Sequence, residues 1–568
     1  MIEYILKAVM LECNVFVQVT VEHRRFKTFI ARQQKEPVIL NFYWIKSFID
    51  KGRDLGNLLF DLCCHCLDKY SFFNGSFHAA KALPTFAINN FLLTAPELNK
   101  LLLQHFPFET TTGQRQLMTK LSQFLLGGNS HHIFVLRGYA GTGKTTLVSS
   151  LVKTLPALRG KSVLLAPTGR AAKVLAGYTG RQAFTVHKKI YIRRQTGDGG
   201  QAFHLQQNLH ADTVFIVDEA SMISNSGGLS QGGLFGGGSL LDDLVEYVFS
   251  GTNCKLIFIG DTAQLPPVGL DVSPALNIEF LRASYPFQLD WHELTEVVRQ
   301  AEDSGILSNA TALRSDILAG ESSKPKFRLS GFPDMVRIDG AELEDALNEA
   351  YGKYGAEETM IVCRSNKRAN IYNQQIRARI RWQESELSAG DFMMVVKNNY
   401  FWLPEESKAG FIANGDIVEI LRVGRQQEMH GFRFADVRLR LIDYPDEQDL
   451  EVRLLLDTIS SEGPALTNEQ NKSLYESVLL DYSDVADRRL RAKKVKEDPF
   501  FNALQVKFAY AVTCHKAQGG QWPCVFVEQG YLTDEMINTE YLRWLYTAVT
   551  RASEKLYLVN FNKEFFED

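Results

Sequence analysis

The chain has 568 residues, 45% of them apolar, and sets 62 basic against 66 acidic side chains for a formal net charge of −4. That length holds three or four domains with sizeable cores. The charge balance excludes a chain that is basic throughout and leaves nucleic acid only a local footprint. No apolar run approaches the roughly 20 residues of a membrane span. Glu3 and Lys7 interrupt the apolar start before a signal-like core forms, and eight cysteines in so long a chain do not make a disulfide framework. A cytoplasmic location is expected.

Residues 1–85 stand apart and receive no assignment. Residues 41–54 loosely resemble the Trp-bearing closing helix of a BRCT domain (Trp44, Ile45, Gly52), against a nondescript accessory segment or an extension that is not native coding sequence. The Cys63-Cys64-His65-Cys66 cluster invites a zinc reading. Adjacent ligands wrap one ion poorly and no second Cys/His pair follows at finger spacing, so buried helical thiols are the expectation.

From Phe86 onward short apolar runs alternate with helical patterns, which predicts parallel sheets flanked by helices. Runs at 133–136, 163–166, 214–217 and 256–259 each end in a polar loop, where ligands of open α/β sheets bind. A hairpin is predicted over 188–208, turning at Gly197-Asp198-Gly199-Gly200. The Gly/Ser-dense stretch 224–239 reads as a mobile loop. A second α/β unit begins near Thr295, with strands at 360–363, 524–527 and 556–559. It is split by a stretch of different character, 387–502, whose turns at Gly390-Asp391 and Asn414-Gly415-Asp416 suggest a small antiparallel β-unit. Local basic footprints are Lys188-Lys189 with Arg193-Arg194, the stretch 364–368, and 488–496, the last read as a solvated helix face.

The loops carry the chemistry. Gly138-Tyr-Ala-Gly141-Thr142-Gly143-Lys144-Thr145-Thr146 follows a predicted strand and opens a predicted helix, the setting of a phosphate-cradling P-loop. Its backbone N–H groups and helix dipole hold phosphate oxygens. Lys144 would reach the β- and γ-phosphates of ATP, and the Thr145 hydroxyl would ligate Mg²⁺. Asp218-Glu219 ends an apolar strand: Asp218 would hold the metal, and Glu219 would orient and deprotonate the attacking water. In Gly260-Asp261-Thr-Ala-Gln264-Leu-Pro-Pro-Val268, the uncharged amide of Gln264 can sense a γ-phosphate without locking the charge, and the prolines stiffen the loop.

Three further blocks complete the set: Pro167-Thr168-Gly-Arg-Ala-Ala, Thr513-Cys-His515-Lys516-Ala-Gln-Gly519 and Ala548-Val-Thr-Arg551. In this order the blocks resemble the superfamily 1B DNA helicases, the RecD/Dda group, over residues 86–568. The resemblance implies an α/β fold of two RecA-like P-loop domains, with a β-hairpin pin in the first and a small SH3-like β-barrel inserted in the second. The division expected is 86–294, then 295–386 and 503–568 around an insertion at 387–502, with the pin at 188–208.

It also implies ATP and Mg²⁺ as cofactors, single-stranded DNA and single-strand/duplex junctions as partners, and 5′-to-3′ movement that unwinds duplex, in the sphere of DNA repair and recombination. Residue by residue, Gln114 matches the amide that reads adenine, with Gln116 as the alternative. Arg299 and Arg551 match two arginine fingers. Pro167, Thr168, His187, Thr513, His515 and Lys516 match groups that grip a strand backbone, and Gly519 is expected at the nucleotide. The alternative is a nucleic-acid-dependent translocase that does not unwind. Tyr400 and Phe401 are candidate base platforms or barrel core.

Overall fold

The computed structural model describes residues 16–18, 29–33, 36–40 and 93–567, apart from 130, 159, 196–200, 226–238, 299–302, 321–323, 405–406, 408–410 and 445–446. Two units emerge, Met1–Leu93 and Thr94–Asp568. In the first, β1 (Phe16–Gln18), β2 (Phe29–Gln33) and β3 (Glu36–Leu40) form an antiparallel sheet. The BRCT-like stretch 41–54 and the cysteine cluster 63–66 lie outside the described residues.

The second unit opens its first lobe with a helix over Ala95–His105 and α1 (Thr112–Leu126). The sheet takes β4 (His132–Gly138), β5 (Lys161–Ala166), β6 (Ala183–Thr185), β9 (Thr213–Val217), β10 (Lys255–Gly260) and β11 (Gln288–Leu294) in the order β11-β4-β10-β9-β5-β6, every pair parallel. The hairpin β7 (Tyr191–Gln195) and β8 (Gln201–Leu205) stands off this sheet. Strands covered on both faces must be apolar throughout, and Phe134, Val135, Phe215, Ile216, Ile257 and Phe258 are all buried. β4 leads to α2 (Lys144–Thr154), β5 to α3 (Gly169–Thr179), and β6 to the short α4 (Val186–Ile190). The hairpin was expected from 188, but residues 188–190 finish α4, so strand pairing starts at Tyr191. A buried Lys255 donates to the carbonyls of Phe124, Leu125 and Gly127, satisfying the end of α1 as a C-cap would.

The second lobe starts with α5 (Gly305–Ala319) and holds β12 (Met335–Ile338), β13 (Thr359–Cys363), β19 (Ala511–Thr513), β20 (Trp522–Glu528) and β21 (Ala552–Val559), ordered β12-β21-β20-β13-β19 and again all parallel. Between β13 and β19 come α6 (Asn366–Gln375) and a closed barrel of β14 (Phe392–Val395), β15 (Ile417–Met429), β16 (Phe432–Leu441), β17 (Leu450–Leu455) and β18 (Leu504–Phe508). Its last strand lies beyond the expected insertion limit of 502. β18 closes the ring between β14 and a parallel β17, so the barrel is not wholly antiparallel. Helices over Asn468–Asp481 and Arg488–Lys496 bury Leu474, Val478 and Val495 against Phe432 and Phe434 of the barrel. α7 (Cys514–Ala517) and α8 (Thr539–Val549) complete the lobe. Among the described residues, no helix is long and apolar enough to cross a membrane.

Candidate active site and strand track

The three loops of the first lobe that carry phosphate chemistry follow β4, β9 and β10, which are neighbours in the sheet. The P-loop turns through Gly141 (φ 74°) and Gly143 (φ 83°), backbone that a side chain would strain. A Cβ on Gly138 would sit 2.9 Å from Thr142 Oγ1, and one on Gly143 would sit 2.7 Å from Gln114 Nε2. This is a backbone cradle with room only for glycine, and it fits a nucleotide's phosphates. Lys144 Nζ arches over it, donating to the carbonyls of Gly138 (2.7 Å) and Tyr139 (2.8 Å). Thr145 is exposed and Thr146 half-buried at the start of α2.

Asp218 and Glu219 leave β9 together. Asp218 Oδ1 accepts from the Glu219 N–H at 2.9 Å, and Oδ2 accepts from the Tyr178 hydroxyl at 2.5 Å. Glu219 holds a left-handed backbone (φ 52°), a strain of about 1–3 kcal/mol of the kind that gathers at functional sites. Burial lifts its carboxyl above the ordinary range; Arg551 pulls it back most strongly, Asp218 pushes it up, and Lys144 pulls it down. The charges of Arg551 in the second lobe and Lys144 in the first thus both favour the ionised form of this carboxyl. Gln264 is buried, with its Oε1 lacking a hydrogen-bond partner.

Arg551 is itself 2% exposed and held by three bonds within its lobe, to Thr547 O (2.9 Å), Gly520 O (3.1 Å) and Thr550 Oγ1 (3.2 Å). The helix just before it, α8, grips the first lobe along one face. The Tyr546 hydroxyl accepts from the P-loop N–H of Ala140 (2.9 Å) and donates to Asp261 Oδ2 (2.7 Å). Thr547 Oγ1 accepts from Leu265 N–H (2.9 Å), and Arg543 donates to Thr262 O (2.7 Å). Gln518 Nε2 donates to Leu265 O (2.8 Å). Tyr139, Ala263 and Leu265 of the first lobe are buried in the second lobe's core. Tyr178, Arg543 and Tyr546 were not singled out from sequence, because only their distant partners mark them. Arg299 lies outside the described residues. Arg314 of α5 lies 4.4 Å over the ring of P-loop Tyr139.

Two residues expected at the nucleotide make close contacts within the protein. Gln114 is fully buried as part of the α1 capping box: its Oε1 accepts from Thr111 N–H (3.0 Å) and its Nε2 donates to Thr142 O (3.0 Å). It braces the P-loop here, while Gln116 is exposed. Gly519 approaches the start of α3, where a Cβ would meet Ala171 Cβ at 2.8 Å and Thr168 Oγ1 at 3.3 Å. It seats the second lobe on α3.

The strand-gripping candidates follow the last two strands at one margin of each sheet, β5 and β6 in the first and β13 and β19 in the second. Thr168 caps α3 after β5, accepting from Ala171 N–H (3.2 Å), and Thr185 caps α4 at the end of β6, accepting from Lys188 N–H (3.2 Å). In the second lobe Ser365 caps α6 after β13, accepting from Arg368 N–H (3.2 Å), and Thr513 ends β19 at the start of α7. Hydroxyls thus stand at matching strand ends in each lobe. Ser365 was missed because a Ser before a charged helix looks like any cap. Thr513 and Lys516 line a shallow hollow with Asn366, Asn370 and Lys507. Burial lowers Lys516 to about 8, and His187 to about 4, so that imidazole is neutral near pH 7. His515 is exposed, and Pro167 half-buried. Tyr400 packs on Phe411 at 4.6 Å and Phe401 on Trp402 at 4.9 Å, as barrel aromatics.

The barrel touches this track. Asp443 pairs with Arg170 (3.3 Å) and Lys173 (3.0 Å) of α3. Asp416 is buried against Gly169, its Oδ2 accepting from Ala413 N–H at 2.7 Å and its Oδ1 unpartnered. Burial lifts Asp416 to about 8; the Ala413 bond lowers it, Asp443 raises it and Lys188 lowers it. The folded chain therefore keeps this proton to about pH 8, whereas an unfolded Asp releases it near pH ~3.9. The contribution to stability is full below the unfolded value and is lost as pH rises through the folded one. Thermal melts from pH 5 to 8 should show Asp416→Asn gaining on the parent as pH rises, by at most about 1.4 kcal/mol per pH unit. Parallel pH dependences would contradict this reading.

Two RecA-like lobes, with a P-loop and Walker-type carboxylates in one facing an arginine-bearing helix of the other, define a two-lobed P-loop ATPase. Residues 109–322 match the AAA domain family and 508–559 the UvrD-like helicase C-terminal domain family. The ATP-dependent DNA helicase dda of Enterobacteria phage T4 is 24% identical over 467 residues, covering 76% of this chain and 94% of that protein. The ATP-dependent RecD2 DNA helicase of Deinococcus radiodurans is 25% identical over 438 residues, covering 75% of this chain but only 47% of that longer protein. A solved Pif1 helicase from Bacteroides, in complex with ADP-AlF3 and ssDNA, covers 81% of this chain and 95% of its own at 14% identity, with a TM-score of 0.40 too low to carry weight. Together these matches support a superfamily 1B, RecD/Dda/Pif1-like helicase.

Proposed function

We propose that the chain is an ATP-dependent DNA helicase that moves 5′-to-3′ on single-stranded DNA and opens duplex ahead of it. The observation that carries this is the bonding of α8, which leads to Arg551 in the second lobe, to the P-loop and the Gln264 loop of the first. ATP binds between the lobes, with its phosphates in the P-loop under Lys144. Thr145 and Asp218 would hold Mg²⁺, which when bound supplies positive charge to the phosphates. Glu219, raised by burial, takes the proton of the attacking water. Arg551 offsets the charge that grows on the γ-phosphoryl. Gln264 senses that group, and its loop passes the state to α8 through Leu265 and Asp261. Reading adenine with Gln114 requires its Nε2 bond to Thr142 to be exchanged for one to the base.

The strand runs over the hydroxyl caps Thr168 and Thr185 in one lobe and Ser365 and Thr513 in the other, with Pro167, His187, His515 and Lys516 alongside. Such groups grip a backbone without reading sequence. Closure of the cleft shifts one set relative to the other, and release reopens it. Opening a DNA step costs about 1.4 kcal/mol, within the roughly 1–3 kcal/mol of stacking one base on an aromatic. Duplexes tailed at either end test the reading: ATP-driven opening from 5′ tails is expected, and none from either tail refutes it.

The hairpin of β7 and β8 is the pin in this reading. Deleting 197–200 at its tip, outside the described residues, should leave DNA-stimulated ATPase intact while strand separation falls. Equal losses of both would favour a translocase that does not unwind.

A further inference from the structure

One helix of the first lobe is engaged at both ends. At its start, α3 is capped by Thr168, packs Ala171 under Gly519 of the second lobe, and sends Arg170 and Lys173 to Asp443 of the barrel. At its last turn, the Tyr178 hydroxyl donates to Asp218 Oδ2 at 2.5 Å. A bond this short from hydroxyl to carboxylate is of the strong, charge-assisted kind. The other oxygen, Oδ1, is fixed by the Glu219 N–H, so the carboxylate cannot rotate without losing both bonds. Tyr178 packs in the core shared with α2, the helix that begins at Lys144. Eleven helical residues span about 16 Å, and an intact helix moves as one piece.

We propose that Tyr178 is a positioning residue: it sets the orientation of the Asp218 carboxylate from the helix whose opposite end faces the DNA strand, so that strand engagement reaches the hydrolysis centre along α3. The inference rests on the helicase reading for the strand. Its local part, the hold on Asp218, rests on geometry alone. Tyr178 does not touch the reacting atoms. It fixes the group that holds the metal, and loss of such an outer partner costs about 10–100-fold in metal affinity or activity.

Tyr178→Phe in the full chain keeps the ring and removes only the hydrogen bond. Manganese(II), probed by electron paramagnetic resonance with ADP present, should bind the variant about tenfold more weakly. The ratio of ATPase with and without single-stranded DNA should fall by a similar factor, while DNA affinity by fluorescence anisotropy stays unchanged. Manganese affinity equal to the parent overturns the proposal, including when the variant merely melts lower. Manganese weakened but the DNA stimulation ratio unchanged overturns the transmission along α3. A parent chain with no DNA-stimulated ATPase refutes the helicase reading instead, and the manganese comparison still decides the hold on Asp218.

Discussion

Arg551→Ala should lower ATP turnover by about 10³-fold or more, while a fluorescent nucleotide should still bind with near-parent affinity. A finger that offsets γ-phosphoryl charge is worth about 10³–10⁵ in rate, and that is the role proposed for this guanidinium. Three bonds to its own lobe fix it, and it is the strongest opposing charge on Glu219. Removing it acts twice, because the buried Glu219 loses its main compensation and its carboxyl moves further up. Lysine should not restore turnover, since an ammonium cannot reproduce the planar fork that bonds Thr547, Gly520 and Thr550 together. Phosphate-release kinetics beside nucleotide titration check this. Parent-like turnover in the alanine variant removes Arg551 from the chemistry.

Glu219→Gln costs about 10²–10⁴ in turnover, the range of a positioned general base, with ATP and DNA binding retained. The glutamine keeps shape and backbone, including the left-handed φ that aims the side chain, so the loss isolates proton transfer. Burial holds the parent carboxyl above the ordinary range. The parent's turnover should therefore fall on the acid side at a higher pH than an ordinary glutamate gives, and the variant's residual rate should lack that limb. A parent profile flat down to the ordinary carboxylate range would contradict the assignment.

Much of the first lobe was legible because buried parallel strands must be apolar throughout and the loops beyond them need particular residues. β4 and β10 end at Gly138 and Gly260 and β9 ends just before Asp218, where the sequence places the P-loop, the Gln264 loop and the acidic pair. Short strands at the margins were less legible: β12 and β19 have 4 and 3 residues, too few for a period to show. The barrel's closure by β18 was hidden because an apolar run reads alike in a barrel and in a sheet.

Side chains whose role depends on a remote partner were not legible at all. Tyr546 meets Asp261 across 285 positions and Tyr178 meets Asp218 across 40, and in each helix the tyrosine looks like ordinary packing. Gly519 was placed at the nucleotide by the family resemblance, and its close approach is to Ala171. Gln114 was read for the donor and acceptor of its amide; the capping box uses the acceptor and the P-loop carbonyl of Thr142 takes the donor.

The central claim is that a cleft closed by two lobes hydrolyses ATP in step with a strand held across them. Phosphate release by the parent chain, measured with and without single-stranded DNA at low salt, tests it most directly. Turnover that rises at least about tenfold with DNA is predicted, and a rate indifferent to DNA would contradict it.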